Sequence, residues 1–282
     1  QPYTPLTRWA RLYELDKIEL PGNIREPVEH LPERMRQWRT RTKPPWNCGT
    51  AAKNHAIYRR YVAYYYALVS EVDYHIGRVL SALKDLGLAD DTVVIYSSDH
   101  GDFVAGHGMV EKCAVGHNVY EDTLQVPLIF HWPGEFERDD TYDGLVELTD
   151  LYPTLLEITG ISRPAGGYDL PGRSLVPVLT GGTIPRKSYV ISENWSQVTV
   201  IGERYKLGTW ITPPAKYATW NWGKTHPGML FDRQSDPLEV NNLIDDPEMK
   251  SVREKLRGFL TQWEAHTPDD GKREAVRSFN GT

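Results

Sequence analysis

Cysteine is nearly absent: Cys48 and Cys113 are the only two in 282 residues. Two are too few for a disulfide framework, and buried free thiols are the plainer reading. No apolar run reaches the length of a membrane span, so no anchoring helix is expected within these residues. Basic charge is not in excess. With 32 Lys and Arg against 38 Asp and Glu the net charge is −6, which leaves no electrostatic footprint for nucleic acid. No internal repeat or low-complexity tract occurs, and no charged-then-apolar leader follows Gln1, so no signal peptide is visible.

What is present is an ordinary globular balance, 40% apolar and 25% charged, long enough for one large domain or one and a half. Aromatics stand out, with 9 Trp and 16 Tyr. That density suits flat-ligand or carbohydrate sites, but core packing is the more common cause.

Residues 1–50 are rich in proline and charge and read as surface-running chain with one helical turn near Glu33–Trp38. From Asn54 to Leu86, Tyr61, Tyr65, Leu68, Val72, Ile76, Val79 and Leu83 recur at three- and four-residue steps and predict a helix with one buried stripe. Thr92–Ser98 then reads as a strand buried on both faces, and helix-into-strand order points to a parallel α/β sheet. Val126–Trp132 is a second strand. "LVELTDLYPTLLEITGI" predicts a short strand and a helix starting near Asp150, and 163–187 reads as a linker. Beyond it, "SYVISENW", "VTVIGERYKLGTWI" and "GMLFDRQSD" are strand-like without intervening helices, followed by an amphipathic helix over Asp246–His266. That order predicts a small antiparallel sheet with one helix on it.

The chemistry concentrates in Ser98-Asp99-His100-Gly101, directly after the first strand, where open α/β sheets place reactive groups. Asp99 offers a hard oxygen and His100 an imidazole nitrogen. Gly101 lets the backbone fold back after them. The text continues "DFVAGHGMVEK", adding His107 between two glycines and Lys112, whose ammonium suits an anionic sulfate or phosphate. His107 and His117 are further donors for the same anion or a leaving oxygen. Taken singly, each of these residues is as well explained by loop or surface duties.

The ordered text "SDHGDFVAGHGMVEK…YEDTLQVPLIFHWPG" resembles the sulfatases of the alkaline phosphatase-like superfamily, formylglycine-dependent type. "VDYHIGRVLSALKDLGLADDTVVIYSSDHG" is similar to the family's lead-in, and "LPGRSLVPVLTG" and "MLFDRQSDPLEVNNL" to its downstream landmarks. The resemblance implies an α/β fold: a partial alkaline phosphatase-like sandwich with a mainly parallel sheet over 1–185, and a small α+β subdomain over 186–282. It implies that Asp99 and His100 are metal ligands and that Lys112 binds the sulfate group. The implied cofactor is one divalent metal, calcium first and manganese as the alternative because imidazole is softer than calcium prefers. The implied activity is hydrolysis of a sulfate ester, first on a saccharide, with no membrane or nucleic-acid partner and with a periplasmic or secreted location. Trp210 and Trp222, with Trp195 and Trp220, lie where the family walls its pocket, and His107 and His117 lie in the loop beside the metal pair. Arg204 and Lys206 read either as contacts to an acidic sugar or as surface charges.

The family's nucleophile is a formylglycine made from Cys or Ser in C/S-x-P-S-R, and that motif does not occur in these 282 residues. "QPYTPLTRW" is similar to the text that follows the family's PHxP histidine. The expectation is therefore a C-terminal portion whose nucleophile lies in an N-terminal half, and which alone is not a hydrolase. A phosphonate monoester or phosphodiester hydrolase of the same superfamily is the nearest alternative. A non-catalytic sugar-binding relative is the other.

Overall fold

The computed structural model describes residues 3–25, 55–112, 119–162, 172–194, 197–210 and 228–267. The chain divides into two compact units, 1–114 with 120–134, and 115–119 with 135–282. The expected helical turn at 33–38 lies outside the described residues.

In the first unit a short helix, α1 (Thr7–Ala10), and two 3₁₀ turns lead to the long helix α2 (His55–Asp85). Its bounds fall within a residue of those that periodicity predicts. Burial does not follow the whole stripe. Tyr58, Tyr61, Val62, Ala63 and Ala67 are buried, whereas Val72 and Val79 are about half exposed or more, at 51% and 61%. The N-terminal half of α2 packs on Ile18, Ile24 and Ala105, with Tyr3 and Tyr13 at the margin. No described residue covers its second half to the same extent.

After α2, β1 (Val94–Ser97) pairs antiparallel with β2 (Leu128–His131), with Ser97 opposite Leu128. Among the described residues this is a two-stranded sheet without a parallel neighbour, and Tyr96 and Ile129 are exposed. The expectation that the first strand is buried on both faces is therefore corrected: a two-stranded ribbon cannot shield both faces of its own strands. Between the strands lies the loop carrying the Ser-Asp-His-Gly text, then the turn α3 (Glu121–Leu124).

The second unit opens with 3₁₀ turn Leu148–Asp150 running into α4 (Leu151–Ile158), so Pro153 sits in the first turn as predicted. The short strand expected just before does not form. Instead the Glu147 and Asp150 side chains close a capping box over the helix start. Asp150, fully buried, also accepts from Lys187 Nζ at 2.7 and 2.9 Å and from Arg173 N at 2.8 Å. The stretch read as a linker contains α5 (Val176–Leu179), with Leu175 N bonded to Thr154 Oγ1.

Then come β3 (Tyr189–Asn194), β4 (Gln197–Gly202), β5 (Tyr205–Trp210) and β6 (Met229–Asp232), a four-stranded antiparallel sheet in sequential order. Helix α6 (Lys250–His266) lays Leu256 and Leu260 against Val198, Val200, Leu207 and Leu230. This is the mixed α/β architecture with a small antiparallel sheet and one helix that the sequence predicts. Lys206 points inward, fully buried in an ion pair with Glu239, as a buried charge requires. Arg204 is bidentate on Asp232. Both charges are therefore engaged within the unit, which removes the sugar-contact alternative for Lys206.

Candidate functional site

The chain leaves β1 at Ser97 and turns at once. Ser98 Oγ donates to the carbonyl of His100 at 2.7 Å, and His100 N donates to Asp99 Oδ1 at 3.0 Å. Gly101 N then reaches Thr123 O at 3.0 Å. A Cβ on Gly101 would stand 2.0 Å from the carbonyl oxygen of Asp122. Glycine is needed here for close approach of α3, and its φ is not left-handed.

Lys112 Nζ lies 2.9 Å from His100 Nε2, and His100 Nδ1 lies 2.7 Å from the Gly101 carbonyl. An ammonium only donates, so Nε2 is the acceptor and Nδ1 carries the proton that the carbonyl receives. The imidazole is thus neutral, with its Nε2 lone pair taken by the Lys112 ammonium, and Asp99 Oδ2 lies 3.6 Å from Nε2. Asp99 is 84% exposed and His100 36%. The geometry brings together the three residues the sequence singles out most strongly.

One carboxylate oxygen and one neutral imidazole nitrogen suit a divalent cation. Two donors alone do not make a ligand shell, and among the described residues no group of three or more His, Cys, Asp or Glu comes together.

The loop from Gly101 to Lys112 is held from behind. Asp102 Oδ1 accepts from Val104 N at 2.8 Å and from the Tyr61 hydroxyl at 2.8 Å, while Oδ2 accepts from the Tyr3 hydroxyl at 2.5 Å. Tyr61 Oη in turn accepts from Glu111 N at 3.0 Å, and Tyr58 Oη donates to Gly108 O at 2.7 Å. Burial pushes both the Tyr61 and Tyr3 phenols well above their ordinary range, and contact with Asp102 pushes them further the same way. They remain protonated donors. The loop takes left-handed φ at Val104 (45°), Ala105 (73°), His107 (51°) and Glu111 (58°). Four non-glycine residues there, one of them β-branched, is a concentration of backbone strain of the kind found at functional sites.

His107 is fully buried. Its ring lies 3.9 Å from that of Tyr120 and edge-on to Phe103, and its Nε2 is 3.6 Å from Asp122 Oδ2. Asp122 Oδ1 would be 2.7 Å from a Cβ on Gly106, so the carboxylate nests into the loop. His107 therefore braces the loop rather than facing solvent. His117 and Trp222 lie outside the described residues, as do Trp195 and Trp220. Trp210 ends β5, and its side chain is likewise outside them. Tyr58, Tyr61, Asp102 and Asp122 are the functional-site neighbours that sequence reasoning misses. Tyr61 belongs to the helical stripe, but nothing in its spacing announces the hydroxyl's partners.

Comparison with known proteins gives consistent results. The family model "Sulfatase" matches residues 25–161, and "N-sulphoglucosamine sulphohydrolase, C-terminal" matches residues 106–266. The chain is 33% identical over 204 residues to arylsulfatase K of Xenopus laevis, an alignment covering 70% of this chain and 37% of that protein. It is 31% identical over 223 residues to a Delta 4,5-hexuronate-2-O-sulfatase of Bacteroides thetaiotaomicron, covering 77% of this chain and 44% of that one. It thus spans less than half the length of these relatives. Among solved structures, a 2-O GAG sulfatase superposes with a TM-score of 0.73 at 27% identity, covering 93% of this chain and 54% of that one.

Proposed function

Since this chain belongs to the sulfatase family, we propose that it supplies the Asp99–His100 half of a metal-centred site for hydrolysis of a sulfate ester on a saccharide. Membership implies a divalent metal and a formylglycine in general; calcium is the ion we assign, with manganese as the alternative. When bound, such an ion polarises the sulfuryl oxygens as a Lewis acid. Asp99 and the Nε2 of His100 would hold it once the Lys112 ammonium turns from that nitrogen to the substrate, and the Gly101 carbonyl fixes the imidazole tautomer. Lys112 places its ammonium against the sulfuryl oxygens, where charge builds as the ester bond breaks. His107, paired with Asp122, braces the loop between them. His117, Trp210 and Trp222 are proposed to wall the saccharide pocket.

The observation that supports this reading is the 2.9 Å contact of Lys112 with His100, an ammonium suited to a sulfuryl oxygen beside the proposed metal pair. The relatives' names favour a 2-O-sulfated hexuronate as the first substrate to try. No C/S-x-P-S-R occurs in the 282 residues, so the nucleophile is proposed to come from outside them, and the chain alone to be inactive. The division at 185/186 is proposed as the catalytic and C-terminal subdomain boundary, and the location as periplasmic or secreted. Among the described residues no helix is long and apolar enough to cross a membrane.

The test is substrate competition on the enzyme that contains this chain: a 2-O-sulfated hexuronate disaccharide, an aryl sulfate and a phosphonate monoester. Preferred sulfate release from the disaccharide, abolished by Asp99→Ala, supports the reading. Faster phosphonate turnover would move the chain to the neighbouring hydrolase class.

A further inference from the structure

One hydroxyl touches both ends of the loop that separates the metal pair from Lys112. Tyr61 Oη donates to Asp102 Oδ1 at 2.8 Å and accepts from Glu111 N at 3.0 Å. Asp102 is two residues after His100, and Glu111 is the residue before Lys112. The same two ends meet through the backbone, Phe103 N to Glu111 O at 3.0 Å. Between them the chain passes through left-handed φ at Val104, Ala105 and His107, conformations that a free loop would abandon. Tyr58, on the same helix, bonds the loop's far turn through Gly108 O.

We propose that Tyr61 is a positioning residue: by bridging Asp102 to Glu111, its hydroxyl fixes the spacing between the Asp99–His100 pair and Lys112. The inference rests on the metal-and-sulfate reading of that site for its functional meaning. Tyr61 itself touches neither cation nor ester. Its ring is buried in the core of the first unit and contributes packing whatever the hydroxyl does. Without the hydroxyl, the Glu111 N–H loses this acceptor and Asp102 loses one of three donors, so the two loop ends part while the ring stays in place.

The test compares Tyr61→Phe with Tyr58→Phe in the enzyme that contains this chain. Each removes one hydroxyl from the same helix that bonds the same loop, so Tyr58→Phe controls for loss of a helix-to-loop hydrogen bond as such. Two quantities are read: the imidazole ¹⁵N spectrum of His100 without metal, and Mn²⁺ binding by electron paramagnetic resonance. In wild type and Tyr58→Phe the Nε2 resonance should sit at a hydrogen-bonded position. In Tyr61→Phe it should move toward that of an unbonded ring nitrogen, with Mn²⁺ binding tighter than in wild type, because the Lys112 ammonium no longer occupies the Nε2 lone pair. Asp102→Ala, which leaves Tyr61 intact but removes the anchor at the other end, should shift His100 in the same direction and serves if Tyr61→Phe does not fold. An unchanged His100 spectrum, or an equal change in both tyrosine variants, overturns the proposal. If wild type takes up no Mn²⁺ while His100 still responds to Tyr61→Phe, the positioning role stands and the metal reading is what fails.

Discussion

Lys112 donates to His100 Nε2 across 2.9 Å, although the two are twelve residues apart in sequence. The contact sets an ammonium on the nitrogen proposed as a metal ligand, on a loop whose shape is set by side chains outside it.

Replacing this lysine should therefore remove transition-state stabilisation and leave the fold alone. In the enzyme containing this chain, Lys112→Ala is expected to lower kcat/KM for a sulfated saccharide by about 10²–10³, the size of one preorganised donor. A loss under about threefold in steady-state sulfate release would take Lys112 out of the site.

Two glycines offer opposite outcomes for the same substitution. A Cβ at Gly101 would meet backbone 2.0 Å away, whereas Gly77 in the interior of α2 has nothing within 4 Å. Gly101→Ala is expected to cost about 2–4 kcal/mol, because backbone must shift. Gly77→Ala should stabilise by roughly 0.5–1 kcal/mol through helix propensity. Urea unfolding of the two variants checks both signs.

Lys187 neutralises a fully buried carboxylate. Its ammonium sits 2.6 Å from Glu147 Oε1 and 2.7 Å from Asp150 Oδ1, with the Asp150 side chain at 0% exposure. Lys187→Ala would leave that charge buried and unpaired, and about 3–5 kcal/mol of stability should be lost. Lys187→Ala and Lys187→Met should fall together in urea midpoint. A near-neutral result for both would show that water or a rearranged Arg173 replaces the ammonium.

Acid sensitivity should have a contribution from Asp232. The Arg204 guanidinium holds its carboxyl well below the usual carboxylate range, against the opposing effect of burial, with added help from the N–H groups of Ser235 and Gln234. A depressed carboxylate contributes stability that is present above its unfolded pKa and lost as pH falls. Unfolding midpoints should therefore drop below about pH 4 more steeply in wild type than in Asp232→Asn. Parallel pH profiles would mean that the Arg204 pair is solvent-screened to no effect.

Much of this was legible beforehand, for identifiable reasons. Helix α2 announces itself because apolar residues recur along its length, and the antiparallel sheet because β-branched runs are separated by turns only. The Asp99–His100 pair is legible as adjacent ligand types at a strand's carboxyl end. What periodicity cannot show is which part of a stripe finds a partner: Val72 and Val79 belong to the pattern yet stay exposed. Nor does it register hydroxyls. Tyr61 reads as a stripe aromatic and Tyr58 is not singled out; both rings are core, but their oxygens bond the loop 41 and 50 residues away. His107 reads as a donor to the anion or a leaving oxygen because composition does not reveal depth, and Tyr120 covers it. The strand expected before Asp150 fails because the capping box bends the chain there instead.

The left-handed backbone at Val104, Ala105, His107 and Glu111 also has a consequence in time. An unfolded chain visits those wells rarely, and the tyrosine contacts that hold them close over 41 and 50 residues. The long helix rests on local contacts and forms on a faster clock. The loop therefore takes its final shape only after the helix presents its hydroxyls, and completion of the site becomes a late event in folding of the first unit. Pulse-labelled hydrogen exchange should show the Glu111 amide gaining protection after the amides of α2.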